Sequence, residues 1–375
     1  MNWQPHGALL AARVTHHTSR WRGSVAAVPR HQFVPRWWER TEDGWTLRRG
    51  SNDVRIWFSV GYKDSSLITR VGPLHADHAQ PGDHPQGLPT SSATLPSLLV
   101  RMFQHARIDD RDELLDVGTG SGYGTALAAH RLGDKRVTSV DVDPYLVGAA
   151  RQRLERIRLH PKVEAIDATG DLPGTYDRIV ATVGVRPVPA SWLAALKPSG
   201  RLVTTIGGTS LIVTADKRGD GCAVGRVEWD RAGFMRTRQG DDFPPPPDKL
   251  VERARSDEGE TITTGPYPVI DVEQAWDLAS MLEITVPGIL YGYEETAERR
   301  TTWFAHADGS WARATAHGNE QPAVHQSGPQ RLWDVLDEIR AYWLQHGELP
   351  LRGANVLITP DGETRLARGK WSAQL

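Results

Sequence analysis

Cysteine is almost absent from the sequence, and its scarcity excludes two kinds of structure. Cys222 is the only cysteine among 375 residues, so the chain can form neither an internal disulfide framework nor a metal cage built from several thiolates. His75, His78 and His84 could suggest a metal site, but no carboxylate or cysteine completes a ligand spacing around them. We therefore expect a solvated loop at residues 75–86 and no bound metal.

The sequence also lacks a long apolar run and an excess of either charge. It contains no stretch of about 18 apolar residues, and its N-terminus has no signal-peptide core. A formal net charge of -2 gives no electrostatic footprint for nucleic acid. We therefore expect a cytoplasmic protein that binds neither membranes nor nucleic acids.

A glycine-rich segment, residues 116–125, is the most informative feature that is present. It reads D-V-G-T-G-S-G-Y-G-T and lies between a short apolar strand and an alanine-rich helix. Glycines in such a turn let the backbone approach a ligand, and the helix N-terminus faces that ligand. The segment lacks G-K-[ST], which argues against a P-loop. A tight structural turn without a ligand is the alternative interpretation.

Two predicted strands after this segment end in acids. Asp141 ends the strand at residues 137–141, where its carboxylate could accept hydrogen bonds from both ribose hydroxyls of a nucleotide. Asp167 ends the strand at residues 163–167, within reach of an adenine amino group. Asp167 could also be an ordinary turn residue.

Strands and helices alternate through the middle of the chain, which predicts an α/β fold with a mostly parallel, doubly wound sheet covered on both faces. We expect an N-terminal helical and β segment over residues 1–90 and a Rossmann-like core over 91–245. A smaller α+β domain over 246–375 would follow the prolines at 244–247. Within the first segment, the alternation of residues 54–60 predicts a strand.

Three hydroxyl side chains precede the helix that begins near Pro96. Ser91, Ser92 and Thr94 could be helix N-caps, since hydroxyls are natural capping groups. Alternatively, they could form hydrogen bonds with a substrate next to the glycine loop.

The spacing of Asp116, Gly118, Gly120 and Gly122 resembles motif I of S-adenosylmethionine (SAM) methyltransferases. Residues 1–245 resemble the protein-L-isoaspartate O-methyltransferases in the segments R-H-Q-F-V-P at 30–35, L-D-V-G-T-G-S-G-Y at 115–123, Y-D-R-I at 176–179 and L-K-P-S-G-R-L at 196–202. The resemblance implies a Rossmann-like SAM-dependent methyltransferase that esterifies carboxylates. The residues expected to bind SAM are Asp116, Gly118, Thr119, Gly120, Ser121, Gly122, Asp141, Val142, Asp167, Ala168 and Thr182.

The C-terminal region is similar to a subgroup of these enzymes found beside ATP-grasp ligases that macrocyclise ribosomal peptides (graspetides). Arg352-Gly353 and Pro360-Asp361-Gly362 followed by Trp371 carry this similarity. It implies methylation of a peptide aspartate and closure to an aspartimide (succinimide), with a macrocyclised ribosomal precursor peptide as the partner. We expect residues 246–375 to help bind that peptide.

The sequence departs from the parent family at two places. Thr94-Leu95-Pro96 stands where the family has Ser-Gln-Pro or Ser-Ala-Pro, and Ile166-Asp167-Ala168 replaces Gly-Asp-Gly. Ser91, Ser92 and Thr94 are the candidates to orient the acceptor carboxylate. An isoaspartate repair enzyme, a small-molecule methyltransferase and a non-catalytic peptide-escort module remain as alternatives.

Overall fold

The structure is a computed structural model, and it describes residues 2–42, 44–238 and 248–375. The predicted proline spacer at residues 244–247 lies outside the described residues. Within the described part of the chain, no helix has the length and apolar character needed to cross a membrane.

The N-terminal part builds a small antiparallel sheet with helices around it. Its elements are α1 (Gln4–Val14), α2 (Arg22–Ala27), α3 (Arg30–Phe33), β1 (Arg36–Thr41), β2 (Gly44–Arg49), α4 (Val54–Gly61), β3 (Leu67–Val71), β4 (Leu74–His75) and β5 (Pro89–Ala93). The strands follow the order β2-β1-β3-β4, and β5 pairs with β3. This sheet therefore carries β5, the strand that holds the candidate acceptor hydroxyls.

The strand predicted at residues 54–60 is wrong, because this segment forms helix α4. The Asp53 carboxylate caps the helix by accepting hydrogen bonds from the backbone N–H groups of Arg55 and Ile56, at 2.8 and 3.2 Å. Phe58 and Tyr62 are both buried, four residues apart as a helix face requires. The cap and this spacing outweigh the alternating pattern.

The middle of the chain alternates strands and helices as predicted. Its elements are α5 (Pro96–His105), β6 (Leu114–Val117), α6 (Tyr123–Leu132), β7 (Val137–Asp141), α7 (Pro144–Arg156), β8 (Lys162–Ala165), β9 (Tyr176–Val185), α8 (Ala190–Ala195), β10 (Leu196–Ile206), β11 (Leu211–Lys217) and β12 (Ala223–Arg231). Parallel pairing gives the order β10-β9-β6-β7-β8. The strand order reverses between β6 and β9, where open α/β sheets bind ligands.

The C-terminal part contains a second antiparallel sheet and then rejoins the first large sheet. Its elements are α9 (Asp248–Ser256), β13 (Thr261–Thr264), α10 (Trp276–Thr285), β14 (Leu290–Glu295), β15 (Arg300–Ala305), β16 (Trp311–Ala316), β17 (Ala323–Ser327), α11 (Leu332–His346), β18 (Asn355–Ile358), β19 (Thr364–Arg368) and β20 (Trp371–Gln374). The separate sheet has the order β13-β17-β16-β15-β14.

The last three strands extend the central sheet to ten strands. Antiparallel pairing runs from β10 through β11, β12, β18 and β19 to β20. Among the described strands, this sheet has four parallel and five antiparallel pairings, whereas a mostly parallel sheet was predicted. The difference arises because β11 and β12 return in antiparallel pairing after β10, and β18 then covers the edge of β12, which would otherwise expose its backbone hydrogen-bonding groups.

Buried side chains cover both faces of the central sheet. On one face the core includes Leu99, Leu127 and Val147 from helices α5, α6 and α7. On the other face it includes Leu282 and Leu336 from α10 and α11. The predicted boundary at residues 245/246 stays a prediction, but the core is continuous across it.

Candidate functional site

A cleft of about 190 Å³ lies at the carboxyl ends of β6, β7 and β9, and β5 forms part of its wall. Nearly all of the residues predicted to bind SAM or the acceptor line this cleft. They are Ser91, Ser92, Thr94, Asp116, Gly118, Thr119, Gly120, Ser121, Asp141, Val142, Asp167, Ala168 and Thr182. Gly122 is the exception.

Gly122 lies behind the cleft at the start of α6. Its φ of 87° is in the left-handed region, and a Cβ atom there would be 3.0 Å from the Cβ of Ala150 in α7. Gly122 therefore permits close packing of two helices rather than contact with a ligand. This role explains the third glycine of the predicted motif in terms of packing.

The first two glycines of the loop keep the cleft open. Gly118 has a φ of 96°, and a Cβ atom there would lie 3.0 Å from Thr182 Oγ1. Thr182 Oγ1 in turn donates a hydrogen bond to the carbonyl oxygen of Gly118, at 3.1 Å. Gly120 has a φ of 51°. Left-handed backbone at both positions favours glycine and leaves room for a ligand beside the loop.

Asp141 holds the glycine loop and faces the cleft. One carboxylate oxygen accepts a hydrogen bond from the backbone N–H of Gly120 at 2.8 Å, and the other accepts one from the N–H of Asp143 at 3.1 Å. Burial raises the pKa of Asp141, and these two hydrogen bonds oppose that shift. A carboxylate has further lone pairs, so Asp141 can still accept hydrogen bonds from ribose hydroxyls.

Asp116 lies deeper, at the end of β6. Its Oδ2 atom accepts hydrogen bonds from Thr125 Oγ1 at 2.7 Å and from Ser139 Oγ at 3.0 Å. Burial raises the pKa of Asp116 to about 6, although both hydroxyls act in the opposite direction. This carboxylate therefore changes its charge close to neutral pH.

Asp167 forms a turn and also lines the cleft, and its contact with adenine stays a prediction. Its Oδ1 atom accepts hydrogen bonds from the backbone N–H and the hydroxyl of Thr169, at 2.9 and 2.7 Å, which is a turn arrangement. The same residue lines the cleft. The neighbouring Ala168 accepts a hydrogen bond from the indole of Trp192 at 2.6 Å, which fixes this part of the wall.

The candidate acceptor hydroxyls lie on β5 and its continuation and do not cap α5. The N-cap residue of α5 is Leu95, and its side chain forms no capping hydrogen bond. Instead, Asp64 accepts a hydrogen bond from the N–H of Ser97 at 2.9 Å. Ser91 is buried and accepts a hydrogen bond from Thr69 Oγ1 at 3.0 Å. The capping interpretation of the hydroxyls is thus wrong.

Arg30 fixes the position of this strand end. Its fully buried guanidinium donates to the carbonyl oxygens of Ala93 and Thr94, both at 3.3 Å. It also donates to the carbonyls of Gly61, Lys63 and Ser65, at 2.8 to 3.0 Å. One side chain therefore ties the end of α4 to the hydroxyl-bearing strand.

His75 is buried, in contrast to the predicted solvated loop. His75 Nε2 lies 2.9 Å from Asp143 Oδ2, and Arg70 Nη1 donates to the same oxygen at 2.6 Å. His78 packs against Tyr145, with ring centroids 4.1 Å apart and ring planes tilted by 60°. Within residues 2–42, 44–238 and 248–375, no group of three or more His, Cys, Asp or Glu is arranged to hold a metal ion.

Residues 233–238 also line the cleft, and the sequence analysis missed them. They follow β12 and include Arg236 and Arg238. Met235 and Thr237 exchange backbone hydrogen bonds with Gly184 at the end of β9. Their sequence has no recognisable motif, so the only available signal is their position after the last strand of the core.

The comparisons with known proteins agree with this geometry. A family model described as protein-L-isoaspartate(D-aspartate) O-methyltransferase matches residues 80–231. The chain is 35% identical to the protein-L-isoaspartate O-methyltransferase of Azorhizobium caulinodans over 166 residues, which are 43% of this chain and 73% of that relative. The chain belongs to the protein-L-isoaspartate O-methyltransferase family. The graspetide-associated subgroup stays a prediction.

Other similarities differ in how much of each chain they cover. The protein-L-isoaspartate O-methyltransferase of Thermococcus onnurineus is 35% identical over 130 residues, which are 33% of this chain and 59% of that relative. A solved structure titled protein-L-isoaspartate O-methyltransferase is similar in fold over 100% of this chain and 99% of its own, with a TM-score of 0.52 and 16% identity. The similarity in fold therefore includes the C-terminal residues.

Membership in the protein-L-isoaspartate O-methyltransferase family confirms the predicted cofactor, SAM, and the predicted enzyme class, SAM-dependent carboxyl O-methyltransferase. The residues that line the cleft also have the chemistry that SAM requires. It offers a carboxylate for the ribose hydroxyls at Asp141 and a backbone without side chains at Gly118 and Gly120.

Proposed function

We propose that this enzyme methyl-esterifies the side chain of an aspartate in a ribosomal peptide that an ATP-grasp ligase has already macrocyclised. The observation that carries the proposal is the contact between β5 and the glycine loop. A Cβ atom on Gly120 would lie 3.3 Å from the carbonyl oxygen of Ser92 and 3.9 Å from Ser91 Oγ. The acceptor hydroxyls and the cofactor loop therefore share one cavity.

The chemistry needs orientation more than proton transfer. When bound, SAM supplies an electrophilic methyl group on a cationic sulfur. The acceptor carboxylate has a reference pKa of about 4, so it is ionised at neutral pH and needs no general base. Ser91, Ser92 and Thr94 can donate hydrogen bonds that hold one carboxylate oxygen, leaving the other in line with the methyl group. Exclusion of water from the cleft would strengthen these interactions.

Two features favour a constrained aspartyl peptide as the substrate. Thr94-Leu95-Pro96 differs from the parent family's Ser-Gln-Pro or Ser-Ala-Pro next to the acceptor. In addition, α10 of the C-terminal region contacts the wall of the cleft, because its Glu283 accepts a hydrogen bond from Arg236 at 2.7 Å. A large, constrained peptide would contact this region as well as the cleft itself.

The ester would then lead to an aspartimide. The backbone nitrogen of the residue after the aspartate attacks the ester carbonyl, a five-membered imide forms, and methanol leaves. Methylation adds one CH₂ to the peptide, and loss of methanol leaves the product one water lighter than the starting peptide. A macrocycle that holds this nitrogen near the ester raises its effective molarity.

The second candidate is isoaspartate repair, which the names of the relatives favour. Three synthetic peptides separate the two functions: a lactam-bridged macrocycle with a free aspartate, its linear counterpart, and a linear isoaspartyl peptide. Mass spectrometry after incubation with SAM should show the methyl ester and then the dehydrated product for the macrocycle. The linear aspartyl peptide should react poorly.

The isoaspartyl peptide provides the decisive contrast. Efficient methylation of the linear isoaspartyl peptide, with none of the macrocycle, would replace the proposed substrate by a repair substrate. Neighbouring reading frames for an ATP-grasp ligase and a short precursor would supply the natural peptide for the same assay.

A further inference from the structure

Arg236 lies in the wall of the cleft, and its side chain packs beside two glycines, Gly207 and Gly208. Its backbone forms an isolated parallel bridge with Gly184, near the end of β9. A Cβ atom on Gly207 would lie 3.4 Å from Arg236 Cγ, and one on Gly208 would lie 2.2 Å from Arg236 Nη2. A side chain at Gly208 would therefore displace the guanidinium, whereas Gly207 is in van der Waals contact with the arginine.

Glu283 of α10 holds the guanidinium of Arg236 from behind. Its side chain is 3% exposed, and Oε1 accepts a hydrogen bond from Arg236 Nη2 at 2.7 Å. The backbone N–H of Gly288 also donates to the Glu283 carboxylate, at 3.1 and 3.2 Å. Arg186 donates to the carbonyl oxygens of Glu283 and Ile284 at the end of the same helix. The glutamate is thus fixed on several sides.

The Arg236 side chain stays 52% exposed although its partner is buried. A guanidinium has five N–H donors in a planar fork. The recorded bond to Glu283 uses Nη2, so other donors of the fork can meet a ligand from the cleft. An arginine backed by a buried carboxylate is pre-oriented, which lowers the entropy cost of binding.

The charges along the cleft point to the kind of ligand that Arg236 would meet. Among the described residues that line the cleft, the cations are Arg236 and Arg238. The guanidinium of Arg236 is oriented by the buried carboxylate of Glu283. An anionic acceptor that enters a cleft containing Asp116 and Asp141 needs a cation of its own.

We propose that Arg236 binds the acceptor carboxylate of the peptide and that Glu283 is the positioning residue that fixes Arg236. This inference rests on the proposed function, carboxyl methylation of a peptide. It makes α10 part of the active site, because a residue of the C-terminal region orients a side chain that touches the substrate.

The test uses the full-length enzyme and whichever of the three peptides the wild type methylates. Arg236→Gln removes the positive charge that would meet the substrate. Glu283→Gln removes the negative charge that orients Arg236. Arg48→Gln is the matched control, since Arg48 is 48% exposed, pairs with Glu39 at 2.6 Å and does not line the cleft. Each variant is assayed for kcat, for KM of the peptide and for Kd of S-adenosylhomocysteine.

Arg236→Gln should raise the KM of the peptide about tenfold or more, as the loss of a charged hydrogen bond implies. Kd for S-adenosylhomocysteine should stay within about twofold of wild type. Glu283→Gln should shift KM in the same direction by a smaller factor. The Arg48→Gln control should match the wild type in all three constants.

A second readout separates substrate contact from a structural role. The same peptide with a carboxamide in place of the acceptor carboxylate serves as a competitive inhibitor. The wild type should bind the carboxylate more tightly than the carboxamide, and Arg236→Gln should lose this preference. If folded Arg236→Gln kept the wild-type KM and the preference for the carboxylate over the carboxamide, the role of Arg236 would be wrong, while the proposed function would stand. If the wild type methylated none of the peptides, the proposed function would fail, and the inference with it.

Discussion

Three carboxylates at the carboxyl ends of β6 and β7 are held at different pKa values. Burial raises the pKa of Asp116 to about 6 and also raises that of Asp141. Burial would raise the pKa of Asp143 as well, but His75 and Arg70 lower it to about 2. Asp143 therefore stays charged as the cap of α7, whereas Asp116 can take up a proton in mildly acidic solution.

We predict that the affinity for SAM falls as the pH drops below about 6. A cationic cofactor favours ionised carboxylates, so a protonated Asp116 must release its proton before binding. For a group with this requirement, affinity falls about tenfold for each pH unit below its free-state pKa. Calorimetry between pH 5 and 8 measures the profile.

Substitutions assign this pH profile to particular residues. Asp116→Asn should flatten it, because no proton has to leave. Asp141→Asn should instead weaken binding at neutral pH by about 1.5–3 kcal/mol, the contribution of a charged hydrogen bond. A steep profile retained in folded Asp116→Asn would assign the titration to another group.

The same carboxylate affects stability in the opposite sense. The folded-state pKa of Asp116 lies above its unfolded value of about 4, so the folded state favours the protonated form. Its contribution to stability is therefore largest below pH 4 and is lost as the pH rises through about 6. A bound cation would compensate for part of this loss.

At the scale of elements, β5 depends on α3 through Arg30. Five carbonyl oxygens accept hydrogen bonds from this one guanidinium, and two of them belong to Ala93 and Thr94. A lysine has three donors on a single nitrogen and cannot reach all five. The hydroxyl-bearing end of β5 is therefore positioned by a side chain that lies about 60 residues earlier in the sequence.

We predict that Arg30→Lys lowers the free energy of unfolding by at least about 1–3 kcal/mol, since buried carbonyls lose their partners. It should also lower kcat on the peptide, because Thr94 is no longer fixed beside the cofactor loop. Denaturant unfolding and steady-state kinetics measure the two effects. Arg55 is exposed on α4, so Arg55→Lys serves as the control. It should change neither the free energy of unfolding nor kcat. Wild-type kcat in Arg30→Lys would mean that β5 is held by other contacts.

Elements could be predicted where the residues that determine their structure are close together in the sequence. The strand, glycine loop and helix at residues 114–132 were predictable because the glycines require positive φ and the helix follows at once. Helix α4 was missed, although Asp53 offered a capping signal, because alternation dominated the interpretation. Arg236 was unpredictable because its role depends on Glu283, which lies 47 residues later in sequence and meets it only in the fold.

At the scale of the molecule, several contacts join the C-terminal region to the methyltransferase, among them a strand pairing and a helix contact. β18 pairs with β12 from Ala223 opposite Ile358 to Arg226 opposite Asn355. α10 meets the turn after β10, where Ser280 and Ser210 share a hydrogen bond at 3.0 Å. The first contact extends the central sheet, and the second packs α10 against the methyltransferase core.

The last prediction concerns removal of this region. An enzyme truncated after Asp248 should not fold into a soluble, cooperatively melting protein. The truncation uncovers the edge of β12 and removes the fully buried Leu282, Leu336 and Ile358 from the shared core. Each large buried aliphatic side chain contributes about 2–5 kcal/mol, so these three alone are comparable to the 5–15 kcal/mol that typically separates folded from unfolded states. Circular dichroism during heating tests this expectation.

A shorter deletion provides the control for that experiment. Removing residues 370–375 takes away only the outermost strand, β20, which pairs with β19 alone. This variant should have a lower Tm but keep a cooperative transition and SAM binding, because the contacts of β18 with β12 and of α10 with Ser210 and Arg236 remain. A cooperative melt and wild-type SAM affinity in the long truncation would instead show that residues 1–248 fold independently. The role of the C-terminal region would then be confined to the peptide, and Glu283→Gln would be the variant that measures it.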